Sequence, residues 1–122
     1  MVDGLESRVE ASLERVLTLL ASSDVKATFF VLGEVAADHT SMNQKIAGEG
    51  HEIACHGYRH GLVSRQTPQQ FRTDARQANA LLEDITGERV LGYRAPNFSI
   101  GSTEAWAYDI LLEEGFRYDS SL

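Results

Sequence analysis

The chain has 122 residues, with 43% hydrophobic and 24% charged residues, a balance typical of a single globular domain rather than a disordered one. Its formal charge is −7 and it has no basic stripe, which argues against nucleic acid as a partner. No apolar run reaches the length of about 18 residues that a membrane span needs, and the first residues lack the features of a signal peptide.

Hydrophobic periodicity and turn residues predict an alternation of helices and strands. The clearest helix start is at Thr67, a good N-cap, with Pro68 at the first helical position and Gln70 completing a capping box. Cys55 is the only cysteine, and its apolar surroundings predict a buried thiol. The predicted elements are helix 5–22, strand 26–32, helix 41–49, strand 51–55, helix 68–86, strand 89–94, helix 103–114 and strand 116–119.

This alternation predicts an α/β fold with parallel strands joined by right-handed helical crossovers. The chain begins on a predicted helix and stops at a strand end, whereas a closed barrel of this class needs about 200 residues or more. We therefore expect residues 1–122 to form a single partial domain that lacks a strand at the front and further elements at the back.

Polar residues follow three of the four predicted strands, and the carboxyl ends of parallel strands meet at one edge of a sheet. His56 and His60 are four positions apart, so even one helical turn would let them share a metal ion. Arg94 and Asp119 follow or end the next two strands. Two histidines with a carboxylate suit zinc, cobalt or another first-row ion, which can activate water for amide or ester hydrolysis.

Each of these residues also has a structural interpretation. The histidine pair is compatible with two surface histidines, and Arg94 with an arginine that pairs a structural carboxylate. Pro96 follows Ala95 and can simply set a turn. Asp119 can cap the following segment. Tyr58 and Phe98 are better suited to a wall or core than to catalysis. The run Glu113-Glu114 is most simply a solvated helix end.

Taken together, four segments resemble the polysaccharide deacetylase family, also called the NodB-homology family. The resemblance runs from about residue 7 to the end. The residues of these segments are most similar to the bacterial branch of the family that is associated with exopolysaccharide production. The segments are KATFFVLG at 26–33, GHEIACHGYRH at 50–60, YRAP at 93–96 and FRYDSS at 116–121.

The resemblance implies a distorted (β/α) barrel and the metal-dependent removal of N-acetyl groups from N-acetylglucosamine-containing polysaccharide. His56 and His60 would bind the metal, most simply zinc. Arg94 would orient the catalytic base. The backbone N–H of Asn97 would help to bind the oxyanion. Asp119 would lie near the groove.

The resemblance also implies an acetylated polysaccharide as substrate, with Tyr58, Pro96 and Phe98 as candidate substrate contacts. We expect a cytoplasmic or cell-envelope protein of bacteria. Open sheet edges are prone to association, so a homo-oligomer is a further expectation.

The sequence departs from the family pattern at both ends. The family's first motif supplies the general base and a third metal ligand before the first helix, but Asp3 follows no apolar strand and is not assigned. The late motif with the general-acid histidine is absent before Leu122. The resemblance therefore implies that these residues alone are inactive or nearly so. Two alternatives are a non-catalytic carbohydrate-binding relative and an assembly unit that associates through its sheet edges.

Overall fold

The computed structural model describes residues 2–59, 65–96 and 104–120, with side chains from residue 8 onward. Helices and strands alternate along this part of the chain, apart from one pair of consecutive helices. The elements are α1 Val2–Ser22, β1 Thr28–Val31, α2 Gly33–Asp38, α3 Thr40–Gly48, β2 Glu52–Cys55, α4 Pro68–Thr86, β3 Gly92–Tyr93, α5 Trp106–Glu113 and β4 Tyr118–Asp119.

The four described strands form one parallel sheet in the order β1-β2-β3-β4, which confirms the predicted α/β class. Phe30 lies opposite Ala54, Cys55 opposite Tyr93, and Tyr93 opposite Asp119. Because neighbouring strands of a parallel sheet run the same way, the residues that follow β2, β3 and β4 meet at one edge.

The strands are shorter than predicted, and one helix was not predicted. After β1, the N–H groups of Gly33 and Glu34 donate to the carbonyls of Gly57 and Tyr58, so the chain leaves the sheet and enters α2. Before β3, the N–H of Val90 donates to a side-chain oxygen of α4 instead of to a strand. Hydrogen bonds from these backbone N–H groups to acceptors outside the strands therefore shorten both strands.

The capping box that the sequence predicts at the start of α4 is present. Thr67 Oγ1 accepts the N–H of Gln70, and the Gln70 side chain accepts the N–H of Thr67. The helix ends at Gly87, whose φ of +72° is the left-handed conformation that glycine adopts most readily. Since both ends are defined by local sequence, α4 occupies the predicted range.

The helices pack against one face of the sheet and bury the core there. Phe71 of α4 is 0% exposed, and its ring meets the rings of Tyr93 and Trp106 edge to face at centroid distances of 5.6 and 5.7 Å. Cys55 is also fully buried, and this burial raises the pKa of its thiol to about 12. The predicted buried thiol is thus confirmed.

The opposite face of the sheet carries a polar network. Tyr118 crosses over Gly92, where an added Cβ would lie 2.1 Å from the tyrosine ring, and its hydroxyl donates to Glu52 over 2.7 Å. Thr28 donates to the other carboxylate oxygen of Glu52. In the described parts of the chain, no helix is both long and apolar enough to cross a membrane.

The prediction that Glu113 and Glu114 form a solvated helix end is wrong for Glu114. Its side chain is 10% exposed, and it accepts hydrogen bonds from both Arg76 and Arg72 of α4 at 2.7 to 2.8 Å. The bonds from Arg76, followed by those from Arg72, lower the pKa of Glu114 to about 2 against the opposing effect of burial. The pairing therefore ties α5 to α4.

This pairing predicts a defined loss of stability in acid. Because the folded pKa of Glu114 is about 2, below its unfolded value, its contribution is complete above the unfolded pKa and is lost as the pH falls toward 2. Glu114→Gln should lower the free energy of unfolding by about 1 kcal/mol at neutral pH and flatten its decline below pH 5, measured by urea unfolding. Glu113→Gln, at a more exposed carboxylate, is the control; equal effects of the two variants would contradict the prediction.

Candidate metal and catalytic edge

The candidate site lies at the carboxyl edge of the sheet, where His56, Arg94 and Ser120 follow three neighbouring strands. The N–H of Arg94 donates to the carbonyl of Cys55 over 2.9 Å, and the N–H of Ser120 donates to the carbonyl of Tyr93 over 2.8 Å. The sheet's backbone pairing therefore continues for one residue beyond the strands. The expected convergence of strand ends is confirmed for these three residues.

The imidazole of His56 has a defined orientation. Its Nδ1 lies 2.6 Å from the carbonyl oxygen of Arg94, and the ring is half-buried. A carbonyl oxygen only accepts hydrogen bonds, so Nδ1 carries the proton and the neutral ring has its lone pair on Nε2. This is the arrangement by which proteins prepare a histidine as a metal ligand.

The guanidinium of Arg94 is also fixed in direction. Its Nε and Nη2 donate to the carbonyl and the hydroxyl of Ser120 over 3.2 and 2.8 Å. Its central carbon lies 4.3 Å from the centroid of the Phe30 ring, a cation–π contact. The side chain therefore lies along the sheet face opposite the helical layer.

The helical turn that would let His56 and His60 share a metal ion is not formed over residues 56–59. This segment is not helical, and Gly57 has a φ of +84°, far from helical backbone. The bond from Gly33 to the Gly57 carbonyl holds the segment against the start of α2. His60 itself lies outside the described residues.

Ser120, and not Asp119, lies beside Arg94. Side chains alternate between the two faces of a strand, so the neighbours Asp119 and Ser120 point in opposite directions. Asp119 lines the same small concavity as Tyr108 and Leu111 of α5, so it lies toward the helical layer. A catalytic role for Asp119 stays a prediction.

The candidate substrate contacts differ in accessibility. The Pro96 side chain is fully buried, which favours a role in setting the turn after β3. Tyr58 is half-buried and packs against the core, where an added Cβ on Gly33 would lie 2.4 Å from its ring. Asn97 and Phe98 lie outside the described residues.

Asp74 of α4 belongs to the surroundings of the site, although sequence reasoning did not select it. Its carboxylate accepts the N–H groups of Tyr58 and Arg59 over 3.0 and 3.3 Å. Burial raises its pKa, and these two N–H groups oppose the rise. A usable sequence signal existed, because Asp74 lies three residues from Phe71 and interrupts the apolar face of the helix.

Within residues 2–59, 65–96 and 104–120, no group of three or more histidine, cysteine or carboxylate side chains is close enough to hold a metal ion. Of the two predicted ligands, only His56 lies within these described residues. Its protonation at Nδ1 fits coordination through Nε2.

Two concavities adjoin the segment after β2. An apolar cavity of about 270 Å³ between α1, β1 and α3 is bordered by His56. A groove of about 340 Å³ on the other side is lined mostly by residues with polar groups, among them Tyr58, Arg59 and Gln77. The second is the more suitable of the two for hydroxyl-rich ligands, because amides, an arginine and a tyrosine supply hydrogen-bonding groups and an aromatic surface.

The parallel α/β sheet carries an oriented histidine and arginine at its carboxyl edge, where α/β proteins place their functional sites. A profile of the family described as polysaccharide deacetylase matches residues 3–112. The chain belongs to the polysaccharide deacetylase family.

Two curated relatives illustrate the similarity. The chain is 30% identical over 113 residues to a peptidoglycan deacetylase of Helicobacter pylori, covering 93% of this chain and 38% of the relative. It is 34% identical over 73 residues to a peptidoglycan-N-acetylglucosamine deacetylase of Bacillus cereus, covering 60% of this chain and 26% of the relative. The chain thus spans well under half the length of both relatives.

A crystal structure from Mycobacterium smegmatis, of a protein assigned to the polysaccharide deacetylases, shares the fold. It superimposes with a TM-score of 0.83 at 35% identity and covers 90% of this chain and 37% of that one. The described sheet and helices accordingly form part of the distorted (β/α) barrel of this family, as the sequence predicts.

Proposed function

We propose that this chain forms part of a metal-dependent hydrolase that removes N-acetyl groups from N-acetylglucosamine-containing polysaccharide. Membership of the polysaccharide deacetylase family supports the class of reaction. The peptidoglycan deacetylases among its relatives support the class of substrate. The rest of the substrate groove would determine which polysaccharide binds. It would also determine whether N-acetyl or O-acetyl groups are removed.

The hydrogen bond between His56 Nδ1 and the Arg94 carbonyl carries this proposal. A surface histidine has no need of a fixed tautomer, whereas a metal ligand must be neutral and must offer one nitrogen lone pair. The bond meets the second requirement, because it holds the proton of the neutral ring on Nδ1 and leaves the lone pair on Nε2, and it also orients the ring.

His56 and His60 would hold the metal, for which zinc or cobalt suits imidazole ligands. A bound divalent ion of this kind lowers the pKa of a coordinated water and polarises a carbonyl oxygen. The protein's own contribution is the orientation of His56 through the backbone of β3.

Arg94 would orient the carboxylate that serves as general base. Its contacts with Ser120 and Phe30 fix the side chain before substrate arrives, and its charge is permanent. Such prior orientation avoids an entropic cost during the reaction. The backbone N–H of Asn97 is the proposed oxyanion donor, and Asp119 stays a proposed site residue near the groove.

Substrate contact would involve the groove beside the segment after β2. Tyr58 forms part of its wall, and the polar side chains around it suit the hydroxyl groups of a sugar. Phe98 is the second proposed aromatic contact. The buried Pro96 would act through the backbone turn that leads to Asn97.

Metal titration of the chain by calorimetry tests the proposal. Zinc and cobalt should each bind near one equivalent, and more weakly at low pH, because histidine must lose its proton to coordinate. Magnesium is the control and should not bind, since it prefers oxygen ligands. Absence of binding by both zinc and cobalt would contradict the proposed metal site.

A further inference from the structure

The segment after β2 is held from two sides, although it has no regular secondary structure. On one side, the carbonyls of Gly57 and Tyr58 accept the N–H groups of Gly33 and Glu34 over 2.8 and 2.9 Å. The other side faces α4 through its own N–H groups. The backbone that leads from His56 toward His60 is therefore fixed by residues distant in sequence.

A single side chain provides the anchor on the α4 side. Asp74 Oδ2 accepts the N–H of Tyr58 and Oδ1 accepts the N–H of Arg59. Consecutive N–H groups that point the same way need two acceptors, and a carboxylate supplies both with one side chain. Arg59, the second donor, is the residue directly before His60.

We propose that Asp74 is a positioning residue for the segment that follows the proposed ligand His56: it fixes the backbone of Tyr58 and Arg59 and so holds in place the chain that leads away from the His56 imidazole. The role rests on the proposed function, since it concerns the ligands that function requires. Asp74 acts through the backbone and does not itself touch the metal.

A purely structural capping role would have different consequences. Burial raises the pKa of Asp74, because it disfavours the charged form in the folded state. In Asp74→Asn, relief of this burial cost should offset the weakened hydrogen bonding, so overall stability should change little. The same change removes one acceptor oxygen and places an amide N–H₂ against a backbone donor, which should loosen the segment.

The test compares Asp74→Asn with Asp84→Asn in the full 122-residue chain. Asp84 is an exposed carboxylate on the same helix, so its variant controls for the lost charge. Zinc affinity is measured by calorimetry, the exchange rates of the Tyr58 and Arg59 amides by NMR, and global stability by thermal unfolding.

In Asp74→Asn, zinc affinity should fall about 10- to 100-fold, as for other groups that orient metal ligands, with little change in melting temperature. The two amides should exchange at least about tenfold faster, whereas Asp84→Asn should change neither property. Asp74→Glu keeps two acceptor oxygens and should recover part of the zinc affinity. If the asparagine variant fails to fold, the zinc affinity of Asp74→Glu is compared with that of the wild-type chain instead.

Unchanged zinc affinity in Asp74→Asn would overturn the positioning role while leaving the proposed function intact. An equal loss of affinity in Asp84→Asn would also overturn it, because the effect would then be one of charge. A wild-type chain with no zinc affinity would overturn the proposed function and, with it, the role of Asp74.

Discussion

Replacement of His56 by alanine should abolish zinc binding with little loss of stability. The variant loses the half-buried hydrogen bond to the Arg94 carbonyl, worth about 1 kcal/mol, and a complete metal ligand. Groups that merely orient a ligand change metal affinity by about 10- to 100-fold, so loss of the ligand itself should exceed about 100-fold. Calorimetric zinc titration and thermal unfolding of the same preparation measure the two effects.

His51 provides the matched control at the opposite end of the same strand. It is 3% exposed, its Nδ1 accepts the N–H of Ala27, and its ring packs against Phe29. His51→Ala should therefore lower stability and leave zinc affinity unchanged, the reverse of the His56 variant. Zinc affinity that survives in His56→Ala would show that this residue is not a ligand.

Phe71→Ala should bring the chain close to unfolding. The ring is fully buried and links α4 to β3 through Tyr93 and to α5 through Trp106. Phenylalanine-to-alanine changes in cores cost about 3–5 kcal/mol, against a total stability of about 5–15 kcal/mol for most domains. Urea unfolding followed by circular dichroism measures the loss.

Phe71→Leu separates loss of volume from loss of the aromatic contacts. Leucine retains most of the buried volume, so this variant should lose less than half of what the alanine variant loses. A loss below about 1 kcal/mol in Phe71→Ala would mean that α4 does not form the centre of the core.

The expected association through sheet edges stays a prediction. Among the described strands, β1 and β4 each have one neighbour, so each presents one edge.

The alternative of a non-catalytic carbohydrate-binding relative also stays a prediction. Glycan binding without acetate release would distinguish such a protein from the enzyme.

The fold class and the elements were predictable because their signals are local. The alternation of predicted helices and strands along the sequence indicated a parallel sheet. The start of α4 followed from Thr67 and Gln70, and its end from Gly87, because each of these residues acts on backbone within one helical turn. The motif residues of the family likewise stand out in the sequence, and they led to His56 and Arg94.

The arrangement of the site depended on contacts between residues far apart in sequence. Whether Asp119 or Ser120 lies beside Arg94 depends on which face each strand residue occupies, and that is set by the register of β3 and β4. The backbone after His56 is held by Asp74, which no local pattern links to it.

The sequence by itself therefore determined the fold class, the main elements and the family of this protein, because periodicity, capping and motif spacing act over a few residues. Only the tertiary structure decided the tautomer of His56, the partner of Arg94 and the burial of Glu114. Hydrogen bonds and pKa values depend on atoms within a few ångströms, and the folded chain brings those atoms from distant positions.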